Sequence, residues 1–125
     1  MPGRAEVEEF VRQSFRSVWA LEVLGYLRDH PDRSHSPAEL VEALRASDAV
    51  VSRCLENLAL TGLVAREADG TARYSPASPE LDGLAAAAQR LYAVRPDAVR
   101  RIIAMAANPT IAAFADAFRL KKDGE

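Results

Sequence analysis

Apolar residues recur every three or four positions along most of the chain, whereas residues 63–74 form two short runs on either side of Asp69-Gly70. The first pattern is typical of amphipathic helices and the second of a β-hairpin, so we predict a mostly α protein with one β-hairpin. Residues 4–29 predict a helix or a helix pair, with Ser17 as a candidate cap for a second piece. Apolar positions cover much of its circumference, which indicates a helix sandwiched between neighbours or lying in a dimer interface.

Two helices joined by a tight turn are predicted in the middle of the chain. Ser36 is a good N-cap for the first helix, because Pro37 follows it and Glu39 lies at the capping-box spacing. Ser47 is placed to cap a second helix that runs to about Thr61. The pair is a candidate helix-turn-helix.

The second of these helices has one apolar and one polar face. Val51, Leu55 and Leu58 share the apolar face, and Gly62 ends the helix by adopting the left-handed conformation. The opposite face is predicted to look outward, and it carries Asp48, Ala49, Ser52, Arg53, Glu56 and Asn57. An exposed second helix is what a helix-turn-helix presents to the major groove of DNA.

A β-hairpin is predicted directly after Gly62. Residues 63–67 and 71–74 flank Asp69-Gly70, which tight hairpin turns prefer because glycine accepts positive φ. Ser34 and His35 are placed to form a very short strand before the helix-turn-helix. Helix, helix and hairpin together predict a winged helix-turn-helix, in which the hairpin is the wing.

Further helices are predicted to begin near Pro79, near Pro96 and at Asn108-Pro109. These helices are rich in alanine, which permits close helix approach and favours a homodimer contact; the alternative is that they complete the core of a monomer. We therefore predict a single winged-helix domain over residues 1–125. Its parts are N-terminal helices at 1–35, the helix-turn-helix and wing at 36–75, and C-terminal helices at 76–125.

Composition agrees with one mostly α domain: the chain has 125 residues, of which 49% are hydrophobic and 6% aromatic. No run of eighteen apolar residues is present, and acidic residues stand near the N-terminus where a signal peptide has an apolar segment. We expect a cytoplasmic protein that does not contact a membrane. A single cysteine agrees with a reducing compartment.

The charge is unevenly distributed along the chain. The formal net charge is −2, from 16 basic and 18 acidic residues. Residues 36–75 hold four basic and six acidic residues, whereas residues 90–122 hold seven basic and two acidic ones. The basic surface is therefore not predicted to coincide with the helix-turn-helix.

Residues 36–75 resemble bacterial winged helix-turn-helix transcriptional regulators of the MarR and ArsR kind. The resemblance is carried by the capped SPAELVEAL helix, the ASDAVVSRCLENLALTGLV block and the hairpin with Asp-Gly at its tip. It implies a dimeric regulator that binds double-stranded DNA, with the helix at about 47–61 in the major groove. The candidate DNA-binding residues are Ser47, Ala49, Ser52, Arg53 and Asn57 on this helix and Arg66 and Arg73 on the hairpin.

The acidic residues on the exposed face of the second helix leave two alternatives to DNA binding. Asp48 and Glu56 would face phosphates, which opposes the counterion release that supplies much of DNA affinity, and only Arg53 can contact guanine in bidentate fashion. The alternative is a winged-helix protein-interaction module without DNA binding. A third hypothesis, a ligand-gated sensor, requires a pocket between the aromatic residues Phe10, Phe15 and Trp19 and the C-terminal helices.

Other reactive residues favour structural roles. Cys54 borders the apolar face, so a small buried hydrophobe is favoured over a redox switch. His30 and His35 flank a proline turn at a spacing that matches no zinc pattern, so we expect a turn and an edge-strand histidine rather than a metal site. Arg66 and Arg73 fit cross-strand pairing with Glu67 or Asp69 as well as DNA contact. The sequence holds no phosphate loop or nucleophile–base pair, so we expect no enzyme and no cofactor.

Overall fold

The computed structural model describes residues 2–107, which form six helices and one two-stranded antiparallel sheet. The elements are α1 (Arg4–Ser14), α2 (Val18–Asp29), α3 (Pro37–Leu44), α4 (Asp48–Leu60), β1 (Val64–Arg66), β2 (Ala72–Tyr74), α5 (Pro79–Val94) and α6 (Pro96–Ala107). The predicted mostly α winged helix-turn-helix is confirmed. None of the helices in this part of the chain combines the length and apolar character needed to cross a bilayer.

The predicted helix pair at the N-terminus is also confirmed, with a break between Ser14 and Val18. Phe15 has an extended backbone there, and its ring packs edge-on against Phe10 at 5.6 Å between centroids. Ser17 occupies the N-cap position of α2, but its side chain makes no capping hydrogen bond. Five residues of α2 lie in the core, so this helix is sandwiched between neighbours as its apolar circumference predicts.

Side-chain caps define the starts of α3 and α4. Ser36 Oγ accepts a hydrogen bond from the Glu39 N–H at 3.1 Å, and Ser47 Oγ accepts one from the Val50 N–H at 3.1 Å. Both predicted caps are therefore confirmed. The turn between the helices passes through Arg45, whose φ of 55° is left-handed and costs a residue with a Cβ on the order of 1 kcal/mol.

Gly62 ends α4 in the predicted left-handed conformation, with φ of 79°. The Leu63 N–H donates to the Leu58 carbonyl at 3.0 Å and the Gly62 N–H to the Ala59 carbonyl at 3.1 Å. These two bonds are the Schellman arrangement, which satisfies carbonyls that a helix end otherwise leaves free. The chain is thereby turned directly into β1.

The wing is a hairpin with a third, single-residue strand contact. Ala65 pairs with Arg73, and the loop is closed by the Glu67 N–H on the Thr71 carbonyl at 2.9 Å. Gly70 stands at its tip with φ of 89°. His35 forms an isolated antiparallel bridge with Ala72 of β2, through hydrogen bonds of 2.8 and 2.9 Å, so the expected short strand is confirmed.

The remaining helices pack as a second group beside the winged helix. Ser78 Oγ caps α5 by accepting from the Leu81 N–H at 3.1 Å. Helix α1 contacts both α5 and α6, while α2 contacts α3, α4 and β2. The helix predicted at Asn108-Pro109 lies outside the described residues.

Candidate functional site

Helix α4 is held in the candidate site by caps at both ends and by a fully buried apolar face. Val51, Leu55 and Leu58 have no exposed surface, which confirms the predicted apolar face. Capping at both ends and burial of this face hold the helix against α2 and α3. The predicted outward positions that are exposed are Ser47, Asp48, Ala49, Ser52, Arg53 and Glu56.

The prediction that Asn57 looks outward is wrong. Asn57 is 7% exposed, and its Nδ2 donates to the Ser14 carbonyl at 2.7 Å. Its Oδ1 accepts from the Arg16 N–H at 3.0 Å. Because both ends of the amide are used inside the protein, Asn57 is not available to a base edge. Val50, Cys54 and Asn57 are spaced as one helical stripe next to the apolar face, and this is the signal that indicates burial.

The wing presents the two predicted arginines to solvent. Arg66 and Arg73 are both exposed, and Arg66 Nη2 donates to the Gly70 carbonyl at 3.2 Å. Neither arginine forms an ion pair within residues 2–107, so cross-strand pairing with Glu67 or Asp69 is not observed there. Hydrogen bonds from Thr71 lower the pKa of the Asp69 carboxyl, and they fix the hairpin tip.

A groove of about 440 Å³ runs beside α4, between this helix and the start of α2. We call it the α2–α4 groove, and its lining includes Arg16, Trp19, Arg53, Glu56 and Leu60. Two of its apolar residues are open to solvent, with Trp19 39% and Leu60 73% exposed.

The pocket that the sensor hypothesis requires is not formed as predicted. Phe10 and Phe15 are buried against each other in the core. Trp19 instead lines the α2–α4 groove, on the side of the helix-turn-helix. It also borders a second cavity of about 350 Å³ that includes Tyr92 and Arg100 of the C-terminal helices.

Cys54 lies at the floor of the α2–α4 groove and is 3% exposed. Burial raises the pKa of its thiol, which keeps the sulfur in the less reactive protonated form at neutral pH. This agrees with the interpretation of Cys54 as a small buried hydrophobe.

A polar cluster that sequence reasoning missed lies under the wing. It consists of Tyr26, Arg33, His35 and Glu39, and we call it the Glu39 cluster. The Glu39 carboxylate accepts from Arg33 at 2.9 and 3.0 Å, from His35 Nδ1 at 2.7 Å and from the Tyr26 hydroxyl at 2.8 Å. Arg33 and then His35 lower the pKa of Glu39 to about 2. Only one of the two capping-box hydrogen bonds is therefore formed, because the Glu39 side chain does not accept from the Ser36 N–H.

His35 is fully buried, although its backbone stands at the edge of the wing. Its Nε2 lies 3.0 Å from the His30 carbonyl, and its Nδ1 lies 2.7 Å from the ionised Glu39. Both partners only accept hydrogen bonds, so a ring nitrogen of His35 that carries hydrogen is the donor in either contact. Within residues 2–107 no group of histidine, cysteine or acidic residues is arranged to hold a metal ion.

The fold, the exposed face of α4 and the adjoining hairpin define a winged helix-turn-helix protein. Residues 17–73, from the start of α2 into β2, match the model of the MarR family. The resemblance seen in the sequence is confirmed for this segment, which is similar to the winged-helix regulators of the MarR family.

The crystal structure of the reduced form of MarR from E. coli superposes with a TM-score of 0.46 at 17% sequence identity. That match covers 98% of this chain and 96% of the E. coli chain. No curated protein matches the chain.

Proposed function

We propose that the chain binds double-stranded DNA with α4 in the major groove and the wing against the adjoining backbone or minor groove. The observation that carries the proposal is the division of α4 into a fully buried face and an exposed face that begins at its capped N-terminus. The N-terminal residues of a recognition helix are those that reach base edges. The match of residues 17–73 to the MarR family supports the same arrangement.

The exposed residues of α4 have distinct roles in this proposal. Arg53 is the candidate for a bidentate contact with guanine, and Ala49 can pack on a thymine methyl group. Ser52 is free to donate or accept, whereas Ser47 Oγ already accepts from the Val50 N–H and retains its hydroxyl hydrogen for a contact.

The wing arginines Arg66 and Arg73 supply sequence-independent attraction to phosphates in this proposal. The exposed acidic residues Asp48 and Glu56 on α4 repel phosphates. The affinity of one winged helix is therefore modest, and two copies acting together would raise it.

A homodimer is part of the proposal. The outer helices α5 and α6 are the proposed contact, because they carry exposed apolar residues outside the helix-turn-helix that is proposed to meet DNA: Val94 is 75% and Met105 37% exposed. Two recognition helices would then read half-sites about one DNA turn apart or a small multiple of it. Sedimentation at micromolar concentration tests this step, and a monomer there would contradict it.

DNA binding is tested by retention of mixed genomic DNA fragments across a salt series. We expect retention that falls steeply between about 50 and 200 mM salt. Arg53→Ala should relax or abolish the sequence preference among the retained fragments, whereas Arg4→Ala, at an exposed arginine at the start of α1, should leave it unchanged. No retention even near 50 mM salt would overturn the proposal.

The second candidate is a protein-interaction module without DNA binding. Two observations favour it: the acidic residues Asp48 and Glu56 on the exposed face, and the exposed apolar side chains Trp19 and Leu60 in the α2–α4 groove. A surface that combines acidic and apolar residues suits a basic, amphipathic partner segment better than a phosphate backbone. Failure to retain DNA at low salt would favour this candidate.

A further inference from the structure

Asn57 joins α4 to the junction between α1 and α2. Its amide spans the Ser14 carbonyl and the Arg16 N–H at 2.7 and 3.0 Å, so it holds the backbone on both sides of Phe15. Because Asn57 is on α4 and almost fully buried, this junction cannot shift relative to α4 without breaking both hydrogen bonds. The position of Arg16 is thereby tied to the recognition helix.

The Arg16 side chain leaves this fixed point toward the flank of α4. It is exposed, and together with Arg53 and Glu56 it lines the α2–α4 groove. Neither Arg16 nor Arg53 forms an ion pair with another residue between positions 2 and 107. Two guanidinium groups from distant parts of the sequence therefore border one groove, and neither forms an ion pair in the described part of the chain.

The flank of a recognition helix is where phosphates lie. A helix with its side chains is about 10–12 Å across and the major groove is about 12 Å wide, so the sugar-phosphate backbones run along the sides of the inserted helix. A cation at the side of α4 meets a phosphate, whereas a cation at the centre of its exposed face meets a base edge. Arg16 has the first position.

We propose that Arg16, positioned by Asn57, contacts a backbone phosphate, so that the α1–α2 junction belongs to the DNA interface; this assignment rests on the proposed DNA-binding function. Arg16 adds a positive charge from outside residues 36–75, where acidic residues outnumber basic ones by six to four. The interface is then less acidic than the helix-turn-helix and wing alone. Asn57 acts only through Arg16 and is a positioning residue.

The test compares the salt dependence of binding to random-sequence duplexes for the wild type and Arg16→Gln. Glutamine keeps the backbone N–H that Asn57 holds and removes only the charge. We expect affinity to fall about three- to tenfold near 100 mM salt, and the slope of log K against log salt to decrease by about 0.9 for each Arg16 that contacts a phosphate. The sequence preference should stay the same, because phosphates carry no base identity.

Arg4→Gln at the exposed start of α1 is the control, and it should leave the slope unchanged. Asn57→Ala tests the positioning role, since it should lower the slope as Arg16→Gln does, and combining the two changes should lower it no further. Circular dichroism establishes whether Asn57→Ala is folded; if it is not, Arg16→Gln decides alone.

The outcomes separate this assignment from the proposed function. Wild-type binding with an unchanged slope in Arg16→Gln overturns the phosphate contact and leaves DNA binding by α4 intact. A changed sequence preference without a changed slope also overturns it, because it would indicate base contact. Absence of DNA binding by the wild type overturns both.

Discussion

Two polar junctions hold the surface of this winged helix, and they are built from opposite chemistry. The Asn57 junction is neutral: one amide binds a backbone carbonyl and a backbone N–H. The Glu39 cluster is ionic: one carboxylate accepts from an arginine, a histidine and a tyrosine. The first fixes α4, and the second fixes the loop that pairs with the wing.

The two junctions differ in their response to pH, because only the Glu39 cluster contains a titrating carboxyl group. No member of the Asn57 junction titrates, so its two hydrogen bonds do not change with pH. His35 of the Glu39 cluster carries the bridge to Ala72 of β2, so protonation of Glu39 acts on the anchorage of the wing. The two elements that the proposed function brings to DNA therefore differ in their sensitivity to conditions.

The largest effect is expected from putting a charge into the neutral junction. Asn57→Asp removes the donor to the Ser14 carbonyl and buries a carboxylate beside that oxygen, so we expect a loss of about 3 kcal/mol in the free energy of unfolding at pH 7. Burial raises the pKa of the introduced carboxyl, so the deficit relative to wild type should shrink as pH falls and the group becomes a donor again. Urea denaturation at pH 7 and pH 4 measures both values.

The control for this change is Ser52→Asp, which adds the same group to the exposed face of α4. Its cost should stay within about 0.5 kcal/mol, as for most surface substitutions. Equal stability of the two variants would contradict the account of Asn57 as a buried junction.

The second effect concerns the histidine of the Glu39 cluster. His35→Leu leaves the His30 carbonyl without its 3.0 Å partner and removes one of the donors to Glu39, so we expect a loss of about 2 kcal/mol. His30→Leu is the matched control, because His30 is exposed, and should cost about 0.5 kcal/mol or less. If the two histidines prove equally dispensable in urea denaturation, the buried network does not hold the wing.

Local signals predicted most of the fold but neither junction. Ser36, Ser47 and Gly62 act on backbone groups within a few residues, so their roles follow from spacing alone. Glu39 shows the limit: its position three residues after Ser36 suits a capping box, yet its partners come from positions 26, 33 and 35. Whether Glu39 bonds to the Ser36 N–H or to these more distant partners depends on how α2 packs against α3. That packing cannot be inferred from the residues next to Glu39.

Asn57 was misplaced for a related reason. A polar residue beside an apolar stripe is exposed unless another segment covers it, and here the α1–α2 junction covers it. For the candidate site, the sequence indicated correctly which of the other α4 and hairpin residues are exposed, but it gave no reason to place Arg16 beside Arg53.

The third effect is the loss of stability of the wild-type protein at acidic pH. The pKa of Glu39 is lowered from 4.5 to about 2 in the folded protein, chiefly by Arg33. A lowered carboxyl pKa stabilises the fold above the unfolded-state value, so this stabilisation should be lost as pH falls from about 4.5 toward 2. The effect should be smaller than that of His35→Leu, because the Glu39 side chain is 27% exposed and solvent screens its pairs.

Thermal unfolding between pH 5 and 2 measures this dependence. Glu39→Gln should flatten the decrease, since glutamine does not titrate, whereas Glu42→Gln on the exposed side of α3 should leave it unchanged. If Glu39→Gln leaves the decrease in thermal stability between pH 5 and 2 unchanged, other carboxyl groups cause that decrease.

The smallest effect isolates one bond of the ionic cluster. Tyr26→Phe removes only the 2.8 Å hydrogen bond to Glu39, and this carboxylate keeps Arg33 and His35, so we expect a loss of about 1 kcal/mol. The bond to Glu39 raises the pKa of Tyr26, so the hydroxyl remains a donor throughout the neutral range. A double-mutant cycle with Glu39→Gln should give a coupling of about 0.5–1 kcal/mol. Zero coupling would mean that Arg33 and His35 alone hold the Glu39 carboxylate, and the contrast with the single amide of Asn57 would then rest on those two residues.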